Sequence, residues 1–173
     1  MSGETSLLEQ FAEVLFRHRV EFIVIGGQAE NLMGSPRVTY DVDLCYRKTP
    51  ENLQRLASAL SELNVSLRGA PPDLPVRPDA RTLGMGENFT FSTSLGDLDL
   101  LGYVEPIGGY ESLLPRVEII PLEDGNELRV ISLDDLLRVK LHISRAKDSE
   151  SIFQLQALKR AREEQQGKGD APG

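Results

Sequence analysis

The stretch FIVIGGQAENLMGSPRVTYDVDLCY, residues 22–46, decides how the rest of the chain is read. It opens on an apolar, β-branched run, Phe22 to Ile25, which breaks at Gly26-Gly27. The run predicts a strand, and the two glycines mark its hand-over to a short helix over Gln28–Met33. Gly34, Ser35 and Pro36 end that helix. Asp41-Val42-Asp43-Leu44 then alternates acidic with apolar side chains, so on a strand both carboxylates share one face. Glycine has no Cβ, and backbone N–H groups at Gly26-Gly27 are therefore open to close approach by a phosphate.

The flanking segments predict an α+β fold. Leu7, Leu8, Phe11, Val14 and Leu15 recur at helical spacing behind Thr5 or Ser6 as a cap. Thr49-Pro50-Glu51 starts another helix, whose buried face is Leu53, Leu56, Ala57, Leu60 and Leu63. Residues 69–79 carry four prolines and read as a long surface loop. NFTFST from Asn88 and DLDLLGY from Asp97 flank a turn and predict an antiparallel pair. A helical turn is expected over Tyr110–Leu114, then a hairpin of Val117–Ile120 with Leu128–Ile131. Ser132-Leu133-Asp134-Asp135 caps a helix that Ser144–Ser149 interrupts, and Ile152, Leu155 and Leu158 mark the last one. The expected organisation is a core over 1–131, a helical segment packed on it over 132–164, and a disordered polar tail over 165–173.

Bulk properties narrow the function. With 173 residues, 40% hydrophobic and 27% charged, the chain is long enough for a real core. A net charge of −8 excludes a protein that coats nucleic acid with its whole surface, though not a local basic patch. No apolar run approaches membrane-spanning length, and the first residues do not resemble a signal peptide, so a cytoplasmic protein with no membrane partner is expected. The one cysteine, Cys45, lies among strand residues and reads as a reduced, buried thiol.

Asp97-Leu98-Asp99-Leu100 repeats the alternation of residues 41–44. A lone D-x-D reads as a solvated strand face. Two such strands side by side, following a glycine turn, bring carboxylates within reach of one cation. Mutual repulsion among them is relieved by Mg²⁺ or Mn²⁺, and such ions assist transfer chemistry at phosphorus. Geometry leaves Asp97 and Asp99 equally placed for the third position. Arg37 and Lys140, with Arg145 and Lys147 behind them, are candidate cations for a triphosphate; Thr39 is a candidate phosphate hydrogen-bonding group.

Gly-Gly followed by RVTYDVDL and then GDLDLLG resembles the nucleotidyltransferase superfamily, the polymerase-β-like group. Within it the chain looks most like small bacterial proteins of the AbiEii toxin type, over about residues 7–160. The resemblance implies a short mixed sheet backed by helices with a C-terminal helical segment. It implies Asp41, Asp43 and Asp99 as metal ligands and catalytic residues, and Gly26-Gly27 at the nucleotide phosphates. Lys140 and Asp148 match a lysine and aspartate that serve nucleotide binding and catalysis in toxin-type relatives. Position 28 departs from the pattern, with glutamine where many active members have a small residue. The expected activity is Mg²⁺-dependent transfer of a nucleoside monophosphate from an NTP to a hydroxyl on tRNA or protein, with an antitoxin as a further partner. A small-molecule nucleotidyltransferase and a non-catalytic binding module are the alternatives.

Overall fold

A computed structural model describes residues 5–36, 38–71, 78–143 and 149–169. Helix α1 (Leu7–Arg17) starts where Ser6 Oγ accepts the Glu9 N–H, and buries Leu8, Phe11, Val14 and Leu15. Strand β1 (Phe22–Ile25) is buried along its length. It leads directly into α2 (Gly26–Leu32), then β2 (Asp41–Tyr46) and α3 (Pro50–Glu62). Thr49 caps α3 with Pro50 in its first turn, as the sequence predicts. Strand β3 (Ser66–Leu67), helix α4 (Ala80–Met85), strands β4 (Asn88–Ser92) and β5 (Asp97–Leu101) follow. A helical turn α5 (Tyr110–Leu113), the hairpin β6 (Glu118–Pro121) and β7 (Glu127–Val130), and helices α6 (Leu133–Ile143) and α7 (Ser149–Gly169) complete the chain.

The strands form one mixed sheet in the order β3-β4-β5-β2-β1-β7-β6. The β4/β5 and β6/β7 pairs are antiparallel, as expected from their short turns, whereas β2 lies parallel to β5 and β1 parallel to β7. Val42, Leu44, Phe91, Leu98 and Leu100 are fully buried on one face, and the intervening acids stand on the other. Asn52, completely buried, ties the sheet to α3: its Oδ1 accepts the Glu21 N–H at 2.7 Å and its Nδ2 donates to the Arg47 carbonyl at 2.8 Å.

Four features differ from expectation. Helix α2 begins at Gly26 rather than Gln28, because the glycine pair itself forms the first turn. Strand β3 is too short to carry an alternation. Helix α4, capped by Asp79 and anchored by buried Leu83, lies just past the proline-rich stretch and contains Gly84. Helix α7 continues past Gln165 to Gly169, where low hydrophobicity predicted a tail; this stretch contains no proline to stop it. The predicted loop falls largely on 72–77, outside the described residues, as do 170–173 of the tail. No described helix is long and apolar enough to cross a membrane.

Candidate active site

The parallel register of β2 and β5 pairs Asp41 with Asp97 and Asp43 with Asp99. All four acids share the open face, yet only three converge. Asp41, Asp43 and Asp99 each offer an oxygen within 4.8 Å of the others. Asp97 lies outside that group: it accepts the Ser92 hydroxyl at 3.4 Å and has Oδ2 3.5 Å from Arg68 Nε, while Arg68 also reaches Asp99 at 2.8 Å. Strand alternation leaves the two acids alike, and of them Asp99 is the one whose carboxylate lies with Asp41 and Asp43.

The glycine turn closes the other side. Ile25 pairs with Asp43, so β1 delivers Gly26 directly against that carboxylate. Gly26 has φ +67°, and a Cβ there would lie 2.1 Å from Asp43 Oδ2. A Cβ on Gly27 would meet Thr39 Oγ1 at 2.9 Å. Thr39 is engaged with Asp41: its hydroxyl lies 3.1 Å from Oδ1 and 3.2 Å from the Asp41 carbonyl oxygen. Gln28, the departure from the family pattern, donates through Nε2 to that same carbonyl at 3.1 Å. It buttresses the acidic strand.

Burial pushes the Asp43 carboxyl up to about 8, reinforced by a hydrogen bond with Asp99 and by repulsion from Asp41 and Asp99, and opposed by Arg68. A cluster that retains a proton near neutrality is one that a cation would relieve. The donors are all carboxylate oxygens, which suit Mg²⁺ or Mn²⁺, and the glycine at 26 lets the Asp43 carboxylate lie where a side chain would otherwise stand. The residues present fit such an ion.

Helix α6 supplies the cationic side. Ser132 Oγ accepts the Asp135 N–H at 3.1 Å and sets the helix start. Two turns on, Lys140 is nearly buried, with Nζ 3.3 Å from Oε2 of wholly buried Glu30 on α2. A cavity of about 510 Å³ brings Gly26, Gly27, Thr39, the three aspartates and Lys140 together against apolar Leu101, Val104 and Val139. A second cavity of about 540 Å³ shares Leu101, Val104, Val139 and Ile143 with it and is rimmed by Tyr103, Glu87, Glu105 and His142. Arg37, Arg145, Lys147 and Asp148 lie outside the described residues.

Sequence reasoning missed Arg68 and Glu30. Arg68 follows a strand of two residues, and Glu30 looks like any polar position on a short helix. A charge at the buried Ala29-Glu30 turn of α2 is a signal only once burial is known.

The architecture and the placement of the acids on adjacent strands beside a glycine turn define the nucleotidyltransferase fold. Solved structures that share it include two nucleotidyltransferases. One is a candidate nucleotidyltransferase from Thermotoga maritima, with TM-score 0.53 and 15% identity over 86% of this chain and 89% of that one. The other is the lincosamide antibiotic adenylyltransferase LnuA in its lincomycin-bound form, with TM-score 0.54 and 14% identity over 88% of this chain and 94% of that one. The sequence matches no family model and no curated protein.

Proposed function

We propose that the protein is a metal-dependent nucleotidyltransferase that moves a nucleoside monophosphate from an NTP to an acceptor hydroxyl and releases pyrophosphate. The observation that carries this reading is the convergence of Asp41, Asp43 and Asp99 beside Gly26-Gly27 in one cavity with Lys140. Asp41, Asp43 and Asp99 hold Mg²⁺ or Mn²⁺, which supplies Lewis-acid polarisation and charge neutralisation at the reacting phosphates. Gly26 and Gly27 admit the triphosphate close to the backbone. Lys140, oriented by Glu30, faces its negative charge. Thr39 and Gln28 hold the Asp41 segment in place. Asp99 accepts the hydrogen bond, and then the proton, of the attacking hydroxyl, whose oxygen forms a bond to the α-phosphorus as the bond to pyrophosphate breaks. The family resemblance assigns Asp148 to nucleotide binding, and Arg37 joins it as a cation for the triphosphate.

The toxin-type resemblance assigns a tRNA end or a protein hydroxyl as acceptor, with an antitoxin as partner. The adjoining cavity favours a second reading, a small-molecule acceptor. It opens beside the triad, carries an exposed aromatic at Tyr103 with Glu87 and Glu105 at its rim, and sits in a chain of net charge −8. Among the described residues that line it, a polyanionic acceptor finds little positive charge. LnuA, one of the structural neighbours, is an antibiotic adenylyltransferase.

Calorimetry with each of four NTPs, with and without Mg²⁺, tests the metal and nucleotide assignment. Binding of at least one NTP only with the ion, lost in Asp41→Ala/Asp43→Ala, supports it. A double variant that binds Mg²⁺-NTP as tightly as the parent overturns it.

A further inference from the structure

Arg68 has no part in the reaction as proposed, yet its placement is specific. Leu67 pairs with Phe91, so Arg68 falls opposite Thr90, whose carbonyl accepts its N–H at 3.1 Å. Thr90 pairs with Asp99 and Asp99 with Asp43, and directly paired residues share a face. Arg68, Thr90, Asp99 and Asp43 therefore make one row across neighbouring strands. Two inter-strand spacings, roughly 10 Å, separate the Arg68 and Asp99 backbones. The guanidinium crosses that distance because Thr90 and Ser92 are short. Its Nη2 donates to Asp99 Oδ1 at 2.8 Å and to the Phe91 carbonyl at 2.9 Å. Nε is buried and makes no hydrogen bond; it faces Asp97 at 3.5 Å, an ion pair longer than a good hydrogen bond.

We infer that Arg68 is a positioning residue for the candidate metal centre, clamping Oδ1 of Asp99 to the Phe91 carbonyl so that the carboxylate is held toward Asp41 and Asp43. Asp97 then steadies the far side of the guanidinium and is not itself a ligand. This rests on the metal-dependent reading above. Two effects compete. A cation beside the cluster repels a divalent ion, but the Arg68 side chain is about a third exposed, 32%, and water screens that repulsion. Releasing the clamp costs Asp99 its fixed direction, and such supporting contacts are worth about tenfold to a hundredfold in metal affinity. Positioning wins.

The test is Mn²⁺ binding, followed by electron paramagnetic resonance, for the parent protein, Arg68→Met, Arg68→Lys and Asp97→Asn, with the unfolding midpoint of each. Arg68→Met should weaken Mn²⁺ binding about tenfold or more. Arg68→Lys should recover only part, because one ammonium cannot reproduce the planar fork. Asp97→Asn should weaken binding less, and add nothing in the Arg68→Met background. A folded Arg68→Met protein that binds Mn²⁺ as tightly as the parent, or more tightly, overturns the inference. If Arg68→Met does not fold, parent-like Mn²⁺ affinity in Arg68→Lys overturns it instead. A parent protein that binds no Mn²⁺ overturns the metal reading and the inference with it, so the parent titration separates the two failures.

Discussion

Gly26, which follows β1 and opens α2, lies so close to Asp43 on β2 that a single Cβ on the glycine would fall 2.1 Å from the carboxylate oxygen. The same glycine holds φ +67°, a conformation L side chains rarely adopt. Gly26→Ala must therefore strain the backbone and displace Asp43 together. The expected cost in stability is about 1–3 kcal/mol, and Mg²⁺-NTP binding should be lost while the fold survives. Denaturant unfolding paired with calorimetry checks both. Parent-like nucleotide binding in Gly26→Ala would show that the close approach is incidental.

The Asp43 carboxyl, raised to about 8 by burial and its acidic neighbours, gives metal binding a definite pH dependence. Ligation requires the deprotonated carboxylate, so binding releases a proton and Mn²⁺ affinity should strengthen as pH rises from 6 to about 8.

Stability without metal runs the opposite way. The unfolded carboxyl ionises near its ordinary 3.8 while the folded one keeps its proton, so the stabilising contribution is fully present below that value and lost as pH rises through about 8. Asp43→Asn, which cannot ionise, should flatten this decline in metal-free protein. Melting temperatures at pH 4.5, 6 and 8, values on the order of a unit or two apart across this window, are the measurement.

Lys140 and Glu30 form an ion pair with almost no solvent access. Lys140→Met leaves the Glu30 carboxylate without that cation, at an expected cost of roughly 3–5 kcal/mol. Glu30→Gln keeps the lysine and relaxes its direction, so it should weaken NTP binding with a smaller loss of stability. Thermal melts and nucleotide titrations of the two variants separate these effects.

Cys45 is fully buried, and burial pushes its thiol up to about 12. The native protein should resist a thiol reagent such as dithionitrobenzoate at pH 8, and react at once when unfolded in guanidinium.

The fold's centre was legible because its signals are local. The glycine break after residues 22–25 and the two acidic alternations announce a turn and two strands, and the caps at Ser6 and Thr49 announce two helices. Alternation alone says which face a carboxylate occupies, which is why Asp97 and Asp99 could not be told apart. Both acids contact Arg68, and Arg68 reaches them through the pairing of a two-residue edge strand with β4. No periodicity exists in so short a segment. Glu30 was hidden for a related reason, since its ion-pair partner Lys140 is distant in sequence. The α7 extension was missed because a polar, exposed helix and a polar tail share one composition.

Incubation of the purified protein with Mg²⁺, each of four α-labelled NTPs, and RNA, protein extract or a panel of hydroxylated small molecules tests the central claim most directly. Label should move into one acceptor class with release of pyrophosphate, and Asp43→Ala should abolish the transfer. Label transferred equally well by Asp43→Ala, or no transfer to any acceptor class, would contradict a catalytic role for the cluster of Asp41, Asp43 and Asp99.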